Sequence, residues 1–183
     1  HKSIYSTDAS AYSQKPLGVA YPKGAGDIKR IVSYVKDRGI SIIPRTAGTS
    51  LAGQVVGDGL VVDTSKYLNH ILEVNPEGRW VRVEPGVVLD ELNLYCKPYG
   101  LFFAPETSKS NRCCLGGMVG NNSCGSHSLV YGSTRKHLLE ATVILSDGSE
   151  VLLKPLTRNE VDAKCNLKTL EGDIYKTIIS ILS

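Results

Sequence analysis

Pro44-Arg45-Thr46-Ala47-Gly48-Thr49-Ser50-Leu51-Ala52-Gly53 is the stretch from which we interpret this chain, and we call residues 44–53 the glycine loop. It lies between two apolar runs, residues 40–43 and 60–63, which are typical of short buried strands. Gly48 and Gly53 permit backbone angles that other residues avoid, so several N–H groups can point toward one anion. The stretch therefore indicates a phosphate-binding loop.

Side chains of the loop support this interpretation, although a second interpretation stays open. Thr49 and Ser50 supply hydroxyl donors, and Arg45 supplies a positive charge. Many glycine-rich loops between strands are, however, only tight turns. The loop is not a Walker A motif, because Gln54 and Val55 stand where that motif requires Lys and Ser or Thr. Its glycine spacing also differs from the Gly-x-Gly-x-x-Gly dinucleotide fingerprint.

Composition limits the classes of protein to consider. The 183 residues are 42% hydrophobic and carry a net charge of +3, with basic residues scattered along the chain, which argues against a nucleic-acid surface. No apolar run approaches the roughly 20 residues that span a bilayer. The chain begins at His1 and ends within an apparent helix, residues 174–182. We therefore expect a fragment of a longer protein.

Cysteines and histidines do not form a recognisable metal or disulfide pattern. The five cysteines lack regular spacing and the histidines lack ligand spacing, so we expect reduced thiols, a cytoplasmic protein and no zinc site. The residues concerned are Cys96, Cys113, Cys114, Cys124, Cys165, His1, His70, His127 and His137.

The first third of the chain predicts a β-α-β arrangement. Residues 1–14 are polar and are expected to lie along the surface, and residues 19–22 predict an edge strand. Asp27 is expected to cap a helix that Gly39 ends, before the strand at residues 40–43.

The middle of the chain predicts strands, a helix and turns in short succession. Residues 71–74 and 80–84 predict a hairpin, because the Asn-Pro-Glu-Gly sequence between them favours a turn. A second helix presents Leu89, Leu92 and Cys96 on one face. We expect the whole chain, residues 1–183, to form one domain without an internal linker.

The remaining segments differ in how clearly their sequence predicts secondary structure. The glycine-rich residues 115–122 predict a helix of low intrinsic stability, against whose backbone another element or a ligand must pack closely. Residues 138–145 and 151–153 predict a hairpin, since Ser-Asp-Gly-Ser lies between them. Residues 155–168 are polar and without periodicity, so we expect a mobile loop there.

Several separated motifs, taken in order, resemble the FAD-binding domain of the vanillyl-alcohol oxidase/p-cresol methylhydroxylase (PCMH) superfamily. The likeness is greatest to its D-lactate, glycolate and D-2-hydroxyglutarate dehydrogenase branch, and to bacterial FAD-linked oxidases fused to an iron–sulfur module. Besides the glycine loop, the motifs are Thr7-Asp8-Ala9-Ser10, Pro16-Leu17-Gly18-Val19, Gly116-Gly117-Met118-Val119-Gly120-Asn121-Asn122 and His127-Ser128-Leu129-Val130-Tyr131-Gly132.

The resemblance implies an α+β, PCMH-type domain of two α+β subdomains with FAD between them. The glycine loop would hold the pyrophosphate, residues 105–108 would lie near the flavin, and a second glycine-rich segment would line the rest of the cofactor. The residues implied are Arg45, Thr46, Ala47, Gly48, Thr49, Ser50, Gly53, Pro105, Glu106, Thr107, Ser108, Leu115, Gly116, Gly117, Asn121, Asn122, Gly125, Ser126, Tyr131 and Gly132.

Departures from the family pattern qualify these implications. Relatives with covalently bound flavin often carry His where Thr49 stands, so non-covalent FAD is expected here. Thr46 replaces a glycine that is common in relatives, and Cys114, a weaker donor than Thr, makes one cofactor hydrogen bond doubtful. The family's catalytic histidine and metal ligands lie in a part that this sequence lacks, so no catalytic or metal-binding residue is assigned.

The expected function is that of the FAD-binding portion of an oxidoreductase, inactive as a fragment. Hydride would pass from a D-2-hydroxy acid to the flavin, leaving a 2-keto acid, and electrons would leave through an iron–sulfur module or partner. Two alternatives stay open: a flavin reductase of the same fold that acts with NADPH on a cell-wall sugar-nucleotide precursor, and a non-enzymatic phosphate-binding module. We interpret His127 as a structural or cofactor-side residue, and Cys113 and Cys114 as packing residues.

Overall fold

The computed structural model describes residues 2–182, so His1 and Ser183 lie outside the described residues. Strands and helices alternate along the chain, and parallel and antiparallel pairs occupy separate sheets, which confirms an α+β domain. The strands are β1 (Gly18–Ala20), β2 (Ile42–Arg45), β3 (Leu60–Asp63), β4 (Ile71–Asn75), β5 (Trp80–Val83), β6 (Ala141–Ile144) and β7 (Glu150–Leu153). The α-helices are α1 (Ala25–Lys36), α2 (Leu89–Cys96), α3 (Leu115–Gly120), α4 (Ser128–Tyr131), α5 (Arg158–Cys165) and α6 (Leu170–Leu182).

A three-stranded parallel sheet in the order β1-β3-β2 organises the first third of the domain. The central strand pairs on both sides, Leu60 opposite Gly18 on β1 and opposite Ile42 on β2. Val61 and Val62 are buried in it, as expected for a strand with neighbours on each side. The predicted β-α-β opening and the edge position of β1 are both confirmed.

Helix α1 begins earlier than the sequence predicted. Its N-cap is Gly24, and Asp27 lies in the first turn, so the prediction that Asp27 is the cap was wrong. The carboxylate nevertheless accepts the backbone N–H of Lys23 at 2.8 Å, which gives one free donor near the helix start a partner. Gly39, at φ +63°, follows the helix end as predicted.

Two antiparallel hairpins, β4-β5 and β6-β7, confirm the predicted turns at residues 75–78 and 146–149. The second hairpin is shorter than predicted, since β6 begins at Ala141 and not near residue 138. Thr134–His137 form a 3₁₀ turn immediately upstream, which leaves residues 138–140 as a connection.

The main hydrophobic core lies between α2, α3 and the β4-β5 hairpin. Its buried side chains come from both helices and the loops that precede them, and Phe103 and Leu101 pack against it. The cluster consists of Val87, Leu89, Leu92, Cys96, Cys113, Leu115 and Met118. The core thus holds α3, the predicted glycine-rich helix, in a fixed position.

The segment at residues 155–168 is not the mobile loop that its composition predicted. Helix α5 occupies most of it and begins with a capping box, in which the Thr157 hydroxyl accepts the Glu160 N–H and the Glu160 carboxylate accepts the Thr157 N–H. The Thr-x-x-Glu spacing was visible in the sequence, whereas the apolar periodicity on which the prediction relied is absent here.

Candidate cofactor-binding site

The glycine loop leaves the carboxyl end of β2 and reaches β3 without an intervening helix. Because the three strands run parallel, their carboxyl ends meet at one edge of the sheet, where open parallel sheets bind ligands. Gly48 and Gly53 have φ angles of +66° and +73°, in the left-handed region that favours glycine. Both glycines are therefore required by the backbone conformation, as the sequence predicted.

Backbone donors in the middle of the loop have no protein acceptor. Among residues 2–182, no group accepts a hydrogen bond from the backbone N–H of Gly48, Thr49, Ser50 or Leu51. The next N–H, of Ala52, donates to the Ser50 hydroxyl at 3.3 Å. Successive unpaired N–H groups in a partly exposed turn can donate hydrogen bonds to an oxyanion such as phosphate.

The second glycine-rich segment lies directly against this loop. A Cβ atom on Gly117 would stand 2.7 Å from the Thr46 hydroxyl oxygen, closer than side-chain carbons normally approach. Gln54 Nε2 of the segment after the loop donates to Asn121 Oδ1 at the end of α3, at 2.5 Å. Residues more than 60 positions apart in sequence are therefore neighbours here.

Glycines in α3 give clearance to the neighbouring backbone. A Cβ on Gly116 would lie 2.5 Å from Pro85 Cβ and 3.0 Å from the Pro85 carbonyl oxygen. That carbonyl accepts the Gly116 N–H at 2.8 Å, and the Val87 carbonyl accepts the Leu115 N–H at 2.9 Å. The expectation that another element packs closely against this helix is confirmed, and the element is the chain at Pro85.

The loop at residues 105–108 is joined to the segment that follows α3. A Cβ on Gly125 would stand 2.8 Å from the Glu106 carbonyl carbon. The Glu106 carboxylate lies 2.5 Å from His127 Nδ1, and the Thr107 hydroxyl lies 3.1 Å from Cys113 Sγ. His127 therefore joins the loop at residues 105–108 to the segment after α3, and its structural or cofactor-side role stays a prediction.

Other predicted residues lie in the loop at residues 105–108 or at the end of the segment that follows α3. Ser126 and Ser108 are exposed. The Tyr131 ring meets Phe102 edge-on, with centroids 5.7 Å apart, and the Tyr131 carbonyl lies 2.8 Å from His137 Nε2. Gly132 has φ +80°. These contacts fix the main chain after α4; contact of Tyr131 and Gly132 with a cofactor stays a prediction.

Arg45 occupies a position that its sequence context did not indicate. Its side chain is buried, Nη1 donates to the Thr7 carbonyl at 2.9 Å, and the guanidinium lies 5.1 Å from the centre of the Tyr5 ring. A Cβ on Gly48 would lie 2.6 Å from the guanidinium carbon. The guanidinium therefore packs against the loop backbone, and its contribution of charge to a pyrophosphate stays a prediction.

Sequence reasoning missed two polar residues at this edge of the sheet. Asp63, buried at the end of β3, accepts the Tyr5 hydroxyl at 2.6 Å and the Ser65 N–H at 2.8 Å. Burial, and next the hydrogen bond to Asp63, raise the pKa of Tyr5 above its usual range, so the phenol stays neutral. A charged residue ending an apolar strand was the available signal for Asp63, whereas nothing distinguished Tyr5.

The thiols of Cys113 and Cys114, which directly precede α3, are kept protonated. Burial raises the pKa of Cys114 from 9.0 to about 11, and it also raises the pKa of Cys113. A thiol in this state is a poor nucleophile, which supports the interpretation of both cysteines as packing residues. Within residues 2–182, no cluster of three or more His, Cys, Asp or Glu side chains could hold a metal ion.

These features together fit an elongated, phosphate-bearing cofactor. The loop offers four unpaired N–H groups, and two of the segments implied by the sequence approach each other with glycine where side chains would collide. Main-chain dipoles of this kind offset phosphate charge without requiring a Lys or Arg at each oxygen.

None of the helices in the described part of the chain combines the length and apolar character needed to cross a membrane.

Comparison with known proteins agrees with this geometry. Residues 16–154 match the protein family described as FAD binding domain. The D-2-hydroxyglutarate dehydrogenase of Pseudomonas putida is 38% identical over 178 residues, which are 96% of this chain and 18% of that protein. The D-2-hydroxyglutarate dehydrogenase of Escherichia coli is 41% identical over 176 residues, 94% of this chain and 17% of that protein. The chain thus spans less than a fifth of these curated relatives.

A solved structure shows the same fold at lower sequence identity. The 6-hydroxy-D-nicotine oxidase from Arthrobacter nicotinovorans superposes with a TM-score of 0.74 at 24% identity. The superposition covers 86% of this chain and 34% of that one. The arrangement of strands and helices described above is therefore that of a PCMH-type flavoprotein fold.

Proposed function

The chain belongs to the FAD-binding domain family, and on this premise we propose that it is the FAD-binding part of a dehydrogenase that oxidises a D-2-hydroxy acid to the 2-keto acid. The single observation that carries the proposal is the contact between the glycine loop and α3 at Thr46 and Gly117. Two side-chain-poor segments, one with unpaired N–H groups, there form adjoining surfaces. The relatives named above are D-2-hydroxyglutarate dehydrogenases, which favours a 2-hydroxy acid as substrate.

Main-chain groups hold the cofactor in this proposal. The N–H groups of residues 48–51 bind the pyrophosphate, and residues 115–117 and 121–126 line the rest of the cofactor. Residues 105–108 lie toward the flavin end, joined to residues 125–127 by the contacts of Glu106. Tyr131 and Gly132 close that end.

FAD is held without a covalent bond in this proposal, because Thr49 has no ring nitrogen to attack the flavin. Acid precipitation of the full-length protein should leave the yellow colour in the supernatant. Flavin retained in the protein pellet would contradict the assignment.

The bound flavin would supply the hydride acceptor for oxidation of the substrate at C2. The described residues contribute binding and orientation, and the remainder of the longer protein contributes the catalytic base and any metal. We further propose an iron–sulfur module or partner as the electron acceptor, and a cytoplasmic location.

The test uses the full-length protein that contains this chain, purified with its flavin. Under anaerobic conditions, D-2-hydroxyglutarate, D-lactate and glycolate are added separately, with L-2-hydroxyglutarate and L-lactate as controls. We expect a D-2-hydroxy acid to bleach the flavin absorbance and to yield the corresponding 2-keto acid. A protein that takes up FAD but is reduced by none of these acids would overturn the substrate assignment.

The same preparation separates the two alternatives. Flavin reduction by NADPH, with consumption of an enolpyruvyl sugar nucleotide, would identify the reductase. A full-length protein that binds phosphate but no FAD would identify the non-enzymatic module.

A further inference from the structure

Ten residues that precede the family match at 16–154 contact the glycine loop along much of its length, and we call these residues, 5–14, the N-terminal strap. The Ala9 N–H donates to the Ser50 carbonyl at 3.1 Å. The strap also closes on itself, since Thr7 and Ser13 form an antiparallel bridge and the Gln14 N–H donates to the Ser6 carbonyl at 2.8 Å. The strap therefore has internal hydrogen bonds that hold its own backbone in one conformation.

The strap contacts one left-handed glycine of the loop directly, and it binds the side chain that covers the other. At Gly53, a Cβ would lie 2.6 Å from Cδ2 of Tyr12, so the tyrosine ring covers this glycine directly. At Gly48, the covering group is the Arg45 guanidinium, which donates to the Thr7 carbonyl of the strap at 2.9 Å. The strap therefore lies directly against Gly53, and it reaches Gly48 only through Arg45.

The strap is also fastened to the sheet below the loop. The Tyr5 hydroxyl donates to the buried Asp63 carboxylate at 2.6 Å, and Asp63 ends the central strand β3. The sheet thus holds the strap at Tyr5. The strap in turn contacts the loop directly at Ser50 and Gly53, and through Arg45 at Gly48. The four unpaired N–H groups lie between these supported points.

We propose that the N-terminal strap is a positioning element for the cofactor, which holds the glycine loop in its anion-binding conformation before FAD arrives. This inference rests on the proposed function for the identity of the ligand. A loop already in the binding conformation does not have to be ordered when the ligand binds. If loss of a strap contact lowers the competent fraction of the loop to about a tenth, the apparent Kd for FAD rises about tenfold.

The test removes one strap contact from the full-length apoprotein and measures FAD binding by quenching of flavin fluorescence. Tyr12→Ala deletes the ring that covers Gly53, and Tyr12→Phe keeps it. Tyr95→Ala, at a half-exposed tyrosine on α2, is the control for loss of a surface ring elsewhere. We expect Kd to rise about tenfold in Tyr12→Ala, and to stay within about twofold of the wild type in the other two variants.

Hydrogen exchange of the apoprotein gives a readout that does not depend on activity or on FAD. The Ala9 N–H reports the strap–loop hydrogen bond, and we expect faster exchange in Tyr12→Ala than in Tyr95→Ala. Ala9→Pro, which lacks this donor, should raise the Kd for FAD as Tyr12→Ala does. Unchanged affinity in both strap variants, whether or not exchange is faster, overturns the inference.

The two proposals fail in different ways. A wild-type protein that binds no FAD overturns the proposed function, and the exchange difference still decides whether the strap holds the loop. A wild-type protein that binds FAD, with strap variants equal to it in affinity and exchange, overturns the strap and leaves the proposed function standing.

Discussion

The glycine loop and helix α3 are both rich in glycine and lie against each other, yet they use glycine for different physical reasons. In the loop, Gly48 and Gly53 have left-handed backbone angles that other residues adopt at a cost. In α3, Gly116 and Gly117 have ordinary helical backbone, and a side chain there would collide with Pro85 or Thr46. The loop needs conformational freedom, whereas the helix needs clearance.

This difference determines where each segment obtains its stability. Helix α3 contributes Leu115 and Met118 to the main core and has its first N–H groups bonded to Pro85 and Val87. The loop contributes few buried side chains and leaves four N–H groups without acceptors among residues 2–182. We therefore expect substitutions in α3 to act first on stability and substitutions in the loop to act first on ligand binding.

The largest effect is expected at Gly116. Gly116→Ala places a Cβ against the ring and the carbonyl of Pro85. Neither can rotate away, because the proline ring is closed onto the backbone to which the carbonyl belongs. We expect the free energy of unfolding to fall by about 3 kcal/mol, at the upper end for overpacked sites. Chemical denaturation of the full-length protein or of the 183-residue chain measures it.

Gly120 provides a matched control within the same helix. A Cβ there meets nothing within 4 Å, and its φ is not left-handed. Because Ala is the better helix former, we expect Gly120→Ala to raise the free energy of unfolding by about 0.5 kcal/mol. Equal destabilisation at both positions would show that clearance is not the reason for glycine in α3.

A smaller loss of stability, with a larger loss of binding, is expected at Gly48. Gly48→Ala costs about 1–2 kcal/mol for the left-handed backbone, and it displaces the Arg45 guanidinium from the loop. The full-length protein should lose about tenfold in FAD affinity, equivalent to about 1.4 kcal/mol. Denaturation and fluorescence titration measure the two effects separately.

Gly39 distinguishes backbone strain from a role in binding. It has φ +63° and open space around it, outside the candidate site. Gly39→Ala should lose stability by about 1–2 kcal/mol, while its FAD affinity stays at the wild-type value. A loss of affinity in both variants would mean that Gly48 acts through general stability alone.

The sequence predicted those parts of the molecule that local patterns determine. The parallel strands, both hairpins and the buried face of α2 followed from apolar periodicity and turn residues. The glycine loop followed from its composition between two strands. Helix α5 was missed because its polar sequence has no apolar stripe, and a capping box alone defines its start.

Contacts between distant segments could not be predicted in this way. Nothing local indicates that Tyr5 bonds Asp63, or that Tyr12 covers Gly53, because both contacts depend on how the strap returns to the sheet. The position of Arg45 shows the same limit. Its charge was assigned to the ligand from sequence, while its guanidinium lies against Gly48 and Thr7.

At neutral pH the smallest effect is expected at Cys114, where the glycine loop and α3 meet. Its thiol is buried beside Thr46 and Ala47 of the loop, and burial raises its pKa from 9.0 to about 11. In the unfolded chain the thiol ionises near its usual pKa, so above pH 9 the unfolded state loses this proton and the folded state keeps it. The free energy of unfolding should therefore fall as the pH rises from about 9 to about 11.

Cys114→Ala removes this ionisation and nearly preserves the volume. We expect its free energy of unfolding to fall less steeply than that of the wild type between pH 9 and pH 11, with the two slopes equal below pH 8. Identical slopes in the two proteins would mean that the Cys114 thiol is accessible to water, and that the loop and α3 do not pack as closely as the contact of Gly117 with Thr46 requires.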